Sequence, residues 1–171
     1  MHRAFLRRFA SWAATAALGA SSGAMAATAT TNVAVTTNVT ANCAIVATPV
    51  AFGTYDPISP AALSGTGTLT VTCTQGAAAS ITLGNGQNFA SSRRMTNGSA
   101  FIGYQVYTPS SNLPLAPCAT VTPWPDTAPG FVLPVAPSNA PRTFNVCGLI
   151  PAGQDAPSGN YVDSMVATVI F

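Results

Sequence analysis

Side chains that could serve as acids, bases, nucleophiles or metal ligands are scarce in this 171-residue chain. The only histidine is His2, and the chain contains neither lysine nor glutamate. Apart from His2, no residue could supply the imidazole that activates a serine or cysteine nucleophile or that usually binds zinc. The four aspartates, at positions 56, 126, 155 and 163, match no calcium-binding loop. The residue types argue against an enzyme and predict neither a metal site nor a cofactor.

The first 26 residues have the pattern of a secretory signal peptide. A segment with three arginines precedes an apolar run at 9–20, and positions 24–26 (Ala-Met-Ala) form a small-x-small cleavage site. The apolar run is too short and too interrupted to span a bilayer. Cleavage would remove His2 and leave three arginines against four aspartates, a net charge of 3 − 4 = −1. A nucleic-acid partner therefore has no electrostatic support.

Disulfide formation is the chemistry that the sequence supports best. Four cysteines, Cys43, Cys73, Cys118 and Cys147, lie in a chain predicted to be exported, where thiols are oxidised. No two of them have the C-x-x-C spacing of a redox motif. Four cysteines allow three pairings, and the residues themselves leave all three open.

Alternation of apolar and polar residues, which is typical of half-buried β-strands, dominates the remaining sequence. Leu69, Val71 and Cys73 share one face of a predicted strand at 65–74, and threonines occupy the other. Further strands are predicted at 44–52, 80–83, 100–107, 142–150 and 160–171. Short strands separated by turns rich in Gly, Pro and Asn predict an antiparallel β-sandwich of the immunoglobulin type.

A proline-rich segment interrupts this pattern between positions 109 and 141, where nine prolines occur. Because proline is excluded from central strands, the segment is expected to form a long surface excursion with one edge strand at 131–135. Trp124 is expected to pack this excursion onto the sandwich. Arg93 and Arg94 are expected to lie in a solvated turn; the alternative is that one of them pairs with Asp163 or Asp155 and supports the fold.

Alternating segments lie at both ends of the predicted mature chain. Residues 32–40 form a predicted strand, one face of which carries Val33, Val35, Thr37 and Val39. In the last predicted strand, one face carries Met165, Ala167, Val169 and Phe171. Its other face is also apolar, which is typical of a central strand, although no later segment is available to pair with its far edge. The pattern leaves open whether the N-terminal strand pairs within its own domain or inserts elsewhere.

The order and spacing of these segments resemble the spore coat protein U-type domain, which is shared by pilins of the archaic (Csu-type) chaperone–usher pathway. The resemblance covers essentially the whole predicted mature chain. Its carriers, none of them specific alone, are Cys43 after the Val-rich strand, FGTY at 52–55, VTCT at 71–74, ITLG at 81–84 with Gly86, Arg94-Met95, YQVY at 104–107, GLI at 148–150, Gln154, GNYVD at 159–163 and the terminal strand to Phe171.

The resemblance implies an incomplete immunoglobulin-like sandwich that lacks its last strand. A periplasmic chaperone would fill the vacancy during export to an outer-membrane usher, and the N-terminal extension of a neighbouring pilin subunit would then replace the chaperone. On this basis 1–26 is the signal peptide, 27–42 the donor-strand extension and 43–171 the pilin domain. The donor residues would be Val33, Val35, Thr37 and Val39. The acceptor-groove edge would be formed by Met165, Ala167, Val169 and Phe171.

The resemblance also implies a disulfide between Cys43 and Cys73, which joins the first two strands. Cys118 and Cys147 look additional to the family pattern and are expected to pair with each other, tying the excursion to the strand at 142–150. The implied function is that of a structural subunit of a secreted adhesive pilus, in a homo- or hetero-polymer at the cell surface. The alternative is a self-contained secreted β-sandwich, a coat or surface protein that does not polymerise.

Overall fold

The computed structural model describes residues 25–171, so all but the last two residues of the predicted signal peptide lie outside the described part. The chain divides into two units, one ending at Thr37 and the other spanning Asn38–Phe171. Residues 25–42 contain neither strand nor helix, and every one of them is exposed. The predicted strand at 32–40 is therefore not part of any sheet in this structure.

Residues 43–171 form ten strands, and no helix occurs in the described part of the chain. The strands are β1 (Cys43–Ala51), β2 (Leu63–Cys73), β3 (Ser80–Leu83), β4 (Arg94–Thr96), β5 (Phe101–Gly103), β6 (Gln105–Pro109), β7 (Cys118–Pro123), β8 (Phe131–Val132), β9 (Arg142–Ile150) and β10 (Ala167–Ile170).

Two larger sheets and one hairpin organise these strands. The first sheet has five strands in the order β1-β2-β9-β6-β7, and the second has three in the order β10-β3-β8. The hairpin is β4-β5. Every pairing is antiparallel. The prediction of an all-β antiparallel fold is confirmed, with more and shorter strands than expected.

One hydrophobic core lies between the two larger sheets. Alternate residues of β2 point into it: Leu69, Val71 and Cys73 are buried, as the alternation predicts, while the threonines between them remain partly exposed. The second sheet contributes Ile81, and β9 contributes Phe144; both are fully buried. Side chains from opposite sheets thus meet at positions that a period of two selects.

Several strands differ from the sequence prediction. The strand β2 begins two residues earlier than predicted, β8 is Phe131–Val132 rather than 131–135, and β4 begins at Arg94, where a turn was expected. The run at 100–107 divides into β5 and β6, because the Tyr104 N–H donates to the Arg93 carbonyl outside the ladder. The strand β7, at the edge of the first sheet, was not predicted, because it lies in the proline-rich segment. The last strand is shorter than predicted: only Ala167–Ile170 is regular, and Val162 forms an isolated bridge to Thr96.

Both disulfides have the expected pairing. Cys43 is bonded to Cys73, directly across the register of β1 and β2. Cys118 is bonded to Cys147 and ties β7, within the proline-rich excursion, to β9. Closing a loop of this length, with a sequence separation of 29, stabilises a fold by about 3–4 kcal/mol.

Candidate strand-binding groove

A groove of about 340 Å³ opens between an edge of each large sheet. Its rims are β1 on one side and residues 163–167 on the other. Among the strands that the structure describes, β1 pairs only with β2 and β10 pairs only with β3. Both rims therefore present backbone N–H and C=O groups that a further strand could use. The lining residues are Ala47, Thr48, Pro49, Val50, Phe52, Leu69, Leu83, Met95, Tyr104, Val146, Asp163, Ser164, Met165 and Ala167.

A bulge in β1 shapes the first rim. Thr48 pairs with Thr68 and Ala51 pairs with Thr66, so β1 has one extra residue between these two pairs. The bulge contains Pro49, which has no N–H to donate and is tolerated at a sheet edge. Before the bulge, the odd-numbered residues Cys43 and Ile45 face the core. After it, the even-numbered residues Val50 and Phe52 are partly buried and pack against the core.

Glycines on the neighbouring strands make room for this rim. A Cβ atom at Gly148 in β9 would lie 2.5 Å from Phe52 Cζ and 2.7 Å from Val50 Cγ1. A Cβ atom at Gly65 in β2 would lie 2.7 Å from Phe52 Cδ1. No real side chain tolerates such contacts, so these glycines are required for the close approach of Phe52 to the sheet.

The floor of the groove is apolar and comes from both sheets. Leu69 and Val146 rise from the first sheet and Leu83 from the second; all three are buried. The Phe52 ring meets the Tyr104 ring edge-on, with 6.0 Å between centroids. Such a surface suits aliphatic side chains rather than a charged ligand.

The second rim contains part of the predicted acceptor edge. Met165 and Ala167 line the groove and are half-buried. Val169 packs against the core further along β10 but does not line the groove. Phe171 is 55% exposed and lies outside the lining. The structure thus brings two of the four predicted edge residues to the groove.

A polar corner interrupts the apolar groove at Asp163. Its Oδ1 accepts hydrogen bonds from the Gln87 N–H at 3.0 Å, the Asn88 N–H at 3.3 Å and Asn88 Nδ2 at 3.1 Å. Its Oδ2 accepts one from the Tyr104 hydroxyl at 2.7 Å. Burial, and then the bond to Asp163, raise the pKa of Tyr104, so its hydroxyl stays protonated and donates.

Gly86 allows the turn that surrounds this carboxylate. Its φ is +89°, a region that favours glycine, and any side chain there would collide with Asp163 Oδ2. The backbone N–H groups that follow Gly86 can therefore close over Asp163. Among the described residues that line the groove, Asp163 alone carries a charge.

The groove continues past Phe52 into a second cavity of about 580 Å³. Val50, Phe52 and Met95 line both cavities, and Tyr161 lines the second. Along the second rim, Tyr161 thus belongs to the second cavity, whereas Asp163, Met165 and Ala167 belong to the first. The two cavities are therefore adjacent and share the wall formed by Val50, Phe52 and Met95.

The predicted donor residues lie in the exposed segment at 25–42. Val33, Val35 and Val39 are 81%, 92% and 75% exposed, and Thr37 is exposed as well. Three aliphatic side chains in one short segment are thus left in solvent, with no strand ladder around them.

The opposite edge of the sandwich, between β7 and β8, is closed by Trp124, which is 2% exposed. The Trp124 N–H donates to Val106 O at 2.9 Å, and its Nε1 donates to Ile81 O at 3.3 Å. One residue therefore links the two large sheets. Its ring lies 5.1 Å from that of Phe131 in β8. The expectation that Trp124 packs the excursion onto the sandwich is confirmed.

Arg93 supports this closed edge. Its Nη2 donates to the Leu83 carbonyl at 2.9 Å and to the Trp124 carbonyl at 3.4 Å. The expectation of a solvated turn is wrong for this residue, which is 4% exposed, because backbone carbonyls and Gln105 satisfy its guanidinium. Arg94 is partly exposed and lies 3.9 Å above the Phe101 ring.

The sequence did not reveal the first rim or the polar corner. Only the FGTY motif at 52–55 and Pro49 signalled that β1 ends irregularly. No group of three potential metal ligands occurs in residues 25–171. In the same range no helix is long and apolar enough to cross a membrane.

Comparison with known proteins places the fold. The family model of the Spore Coat Protein U domain matches residues 28–168. "Protein U" of Myxococcus xanthus is 37% identical over 176 residues, which cover 92% of this chain and 93% of that protein.

Among solved structures, the chain resembles the CsuC-CsuE chaperone-tip adhesion subunit pre-assembly complex from archaic chaperone-usher Csu pili of Acinetobacter baumannii. The TM-score is 0.53 with 22% identity, over 78% of this chain and 40% of the matched chain, so the likeness concerns the fold and this chain spans less than half of its counterpart. With a family match that extends over nearly all of residues 25–171, this chain belongs to the Spore Coat Protein U domain family.

Proposed function

We propose that this chain is an exported structural subunit that polymerises by placing its N-terminal extension in the groove of a neighbouring subunit. The observation that carries the proposal is the pair of unpaired rims around an apolar floor. A strand lying between β1 and residues 163–167 would pair with both and join the two sheets along this edge. The exposed valines of the extension are the apolar side chains that such a groove needs.

The free-energy change favours insertion. Moving three valines from solvent into an apolar groove contributes about 5–8 kcal/mol, and ladder hydrogen bonds add to this. An empty groove would expose two sheet edges that can pair indiscriminately with other chains. A chaperone that occupies the groove before assembly is therefore part of the proposal. The structural neighbour is a pre-assembly complex of a chaperone with a tip adhesion subunit, which supports this role.

The cellular setting follows from the same argument. A chain with two disulfides requires an oxidising compartment, and the predicted signal peptide would deliver it there. We therefore place the polymer at the cell surface, as a pilus or coat, after passage through the periplasm and an outer-membrane usher. The chemistry of the residues leaves this subunit without a catalytic role.

Two variants test the proposal: one lacks the inserting strand, and the other has a blocked groove. Deleting residues 32–40 removes the strand and leaves the groove. Ala47→Arg fills the groove from an exposed position on its rim and leaves the strand. Neither variant should polymerise alone, and a mixture of the two should form dimers, as measured by size-exclusion chromatography with light scattering.

Each variant has a control that alters neighbouring residues in the chain. Deleting residues 27–31 should leave polymerisation intact, as should Val46→Arg, because Val46 is 69% exposed and does not line the groove. A wild-type chain that stays monomeric at high concentration, or a deletion variant that still polymerises, would contradict the proposal and favour the self-contained β-sandwich.

A further inference from the structure

The polar corner of the groove and the polar residue of the extension are each exceptional in their surroundings. The groove has one charged side chain, Asp163, among its described lining. The inward face of the predicted donor strand has one hydroxyl, that of Thr37, among valines. The lining also contains the hydroxyls of Thr48, Tyr104 and Ser164, but Asp163 is its one carboxylate, and this suggests a specific contact with Thr37.

The hydrogen bonds of Asp163 leave one oxygen with spare capacity. Oδ1 accepts three hydrogen bonds, whereas Oδ2 accepts only that of the Tyr104 hydroxyl. A carboxylate oxygen has two lone pairs, so Oδ2 can accept one more donor. Asp163 and Tyr104 both line the groove, so an inserted strand would pass next to this carboxylate.

We propose, on the basis of the proposed function, that Thr37 of a second copy of this chain donates its hydroxyl to Asp163 Oδ2 and thereby fixes the register of the inserted strand. A hydrogen bond to a charged acceptor is stronger than one between neutral groups. Valines provide most of the affinity but fit several registers nearly equally well. The hydroxyl is the group that distinguishes one register from the next.

The period of a strand makes this selection sharp. A slip of one residue would turn the valines away from the floor. A slip of two would keep valines inward but place one of them against Asp163, and it would bury the Thr37 hydroxyl without an acceptor. Each wrong register therefore loses either apolar burial or a hydrogen bond.

The same contact selects the direction of the strand. With Thr37 beside Asp163, an antiparallel strand places Val35 beside Met165 and Val33 beside Ala167, within the apolar part of the groove. Val39 then points toward the second cavity, near Tyr161. A parallel strand would place only Val39 and Ala41 in the apolar part. Insertion antiparallel to residues 163–167 therefore fills the apolar part of the groove better.

The first test uses polymers of the full chain. Thr37→Val replaces the hydroxyl with a methyl group, and Thr37→Ser keeps the hydroxyl. Because Thr37 is exposed in the free subunit, neither change affects its folding. We expect polymers of Thr37→Val to dissociate about tenfold faster in denaturant, because a hydrogen bond to a charged group is lost. Polymers of Thr37→Ser should dissociate within about threefold of the wild-type rate.

A dissociation rate of Thr37→Val polymers equal to or below that of the wild type would overturn the inference. If Thr37 meets only apolar surface, Thr37→Val adds apolar contact, and its polymers should dissociate as slowly as the wild type or more slowly. Wild-type chains that form no polymer would instead refute the proposed function. The two failures are therefore distinguishable.

A second measurement reads the register directly. In the double variant Thr37→Val with Val35→Thr, the hydroxyl moves two residues toward the N-terminus. The inserted strand should shift by two residues, and hydrogen exchange of the polymer should show the protected block of the extension moving accordingly. An unchanged block would contradict register selection by Thr37. Val33→Thr alone, which leaves Thr37 in place, is the control and should not move the block.

Discussion

The sandwich has two lateral openings, and the chain treats them differently. Between β7 and β8, Trp124 donates hydrogen bonds to both large sheets and Arg93 joins neighbouring carbonyls. A disulfide from Cys118 fixes the excursion that carries Trp124. Between β1 and β10, the described residues leave a groove with unpaired rims and an apolar floor.

The difference shows that the open edge is a feature of this sequence rather than a general weakness of its sheets. The closed edge uses a buried indole, a buried guanidinium and a covalent bond to connect two sheets. At the open edge, the absence of side chains at Gly65 and Gly148 allows the Phe52 ring to lie close to the first sheet. The groove on the other side of the ring therefore stays open. One opening is closed within the chain, and the other has the shape and chemistry for an added strand.

The largest expected loss of stability comes from removing the Trp124 side chain, which closes the edge between β7 and β8. Trp124→Ala should lower the free energy of unfolding by about 3–5 kcal/mol, as for other buried tryptophans. Phe52→Ala at the open edge should cost less, because Phe52 is only partly buried without a donor strand. Urea denaturation measures both in the variant that lacks residues 32–40, which should be monomeric and leaves the groove empty. Equal losses would remove the distinction between the two edges.

The second-largest effect is expected from removing the Cys118–Cys147 disulfide at the closed edge. Replacing Cys118 and Cys147 together by Ala should lower the free energy of unfolding by about 3–4 kcal/mol. Strand uptake by the remaining folded protein should be unchanged, because neither cysteine lines the groove. Equilibrium unfolding and polymer formation are measured on the same sample. Loss of polymerisation by protein that is still folded would contradict this separation.

A third prediction addresses the open edge. Gly148→Ala should destabilise the domain by about 1–3 kcal/mol, because the added methyl displaces Phe52 and Val50. The displaced ring should also narrow the groove and slow polymerisation. Gly84→Ala is the control, since its Cβ would meet nothing closer than 3.6 Å. Similar stability of the two variants by thermal unfolding would argue against a tightly seated Phe52.

The smallest effects are expected for exposed valines at the two edges. Val121 in β7 and Val46 in β1 are 80% and 69% exposed. Changing either to Thr should alter the free energy of unfolding by no more than about 0.5 kcal/mol. Neither should affect polymerisation in a light-scattering assay. A large effect of Val121→Thr would show that the closed edge also binds a partner.

Local patterns predicted most of the strands. The alternation in β2 identified its buried face, and the bounds of β3 and β9 match the prediction. The prediction failed where proline and long-range pairing competed with local preference. β7 was missed because its edge position tolerates the prolines around it, and the strand predicted at 160–171 is regular only where β3 offers a partner.

The candidate site was predicted only in part. The family resemblance assigned one face of the last strand to the groove edge, and Met165 and Ala167 of that face line the groove. Val169 and Phe171, on the same face, lie outside the lining. The Asp163 corner could not be predicted, because its partners Asn88 and Tyr104 are distant in the sequence. The prediction for Arg93 failed because composition cannot show that carbonyl groups from the end of β3 and from Trp124 will surround a charge.

The sequence by itself determined the scarcity of acid–base side chains, the all-β character and the apolar face of the extension, because each depends on residue type or on a period of two. It also marked Cys43 and Cys73 as bonded through the family resemblance. Only the tertiary structure decided which sheet edges stay unpaired, where the bulge redirects Phe52 and which opening Trp124 closes. These features depend on segments far apart in the chain meeting at defined distances, which local patterns do not encode.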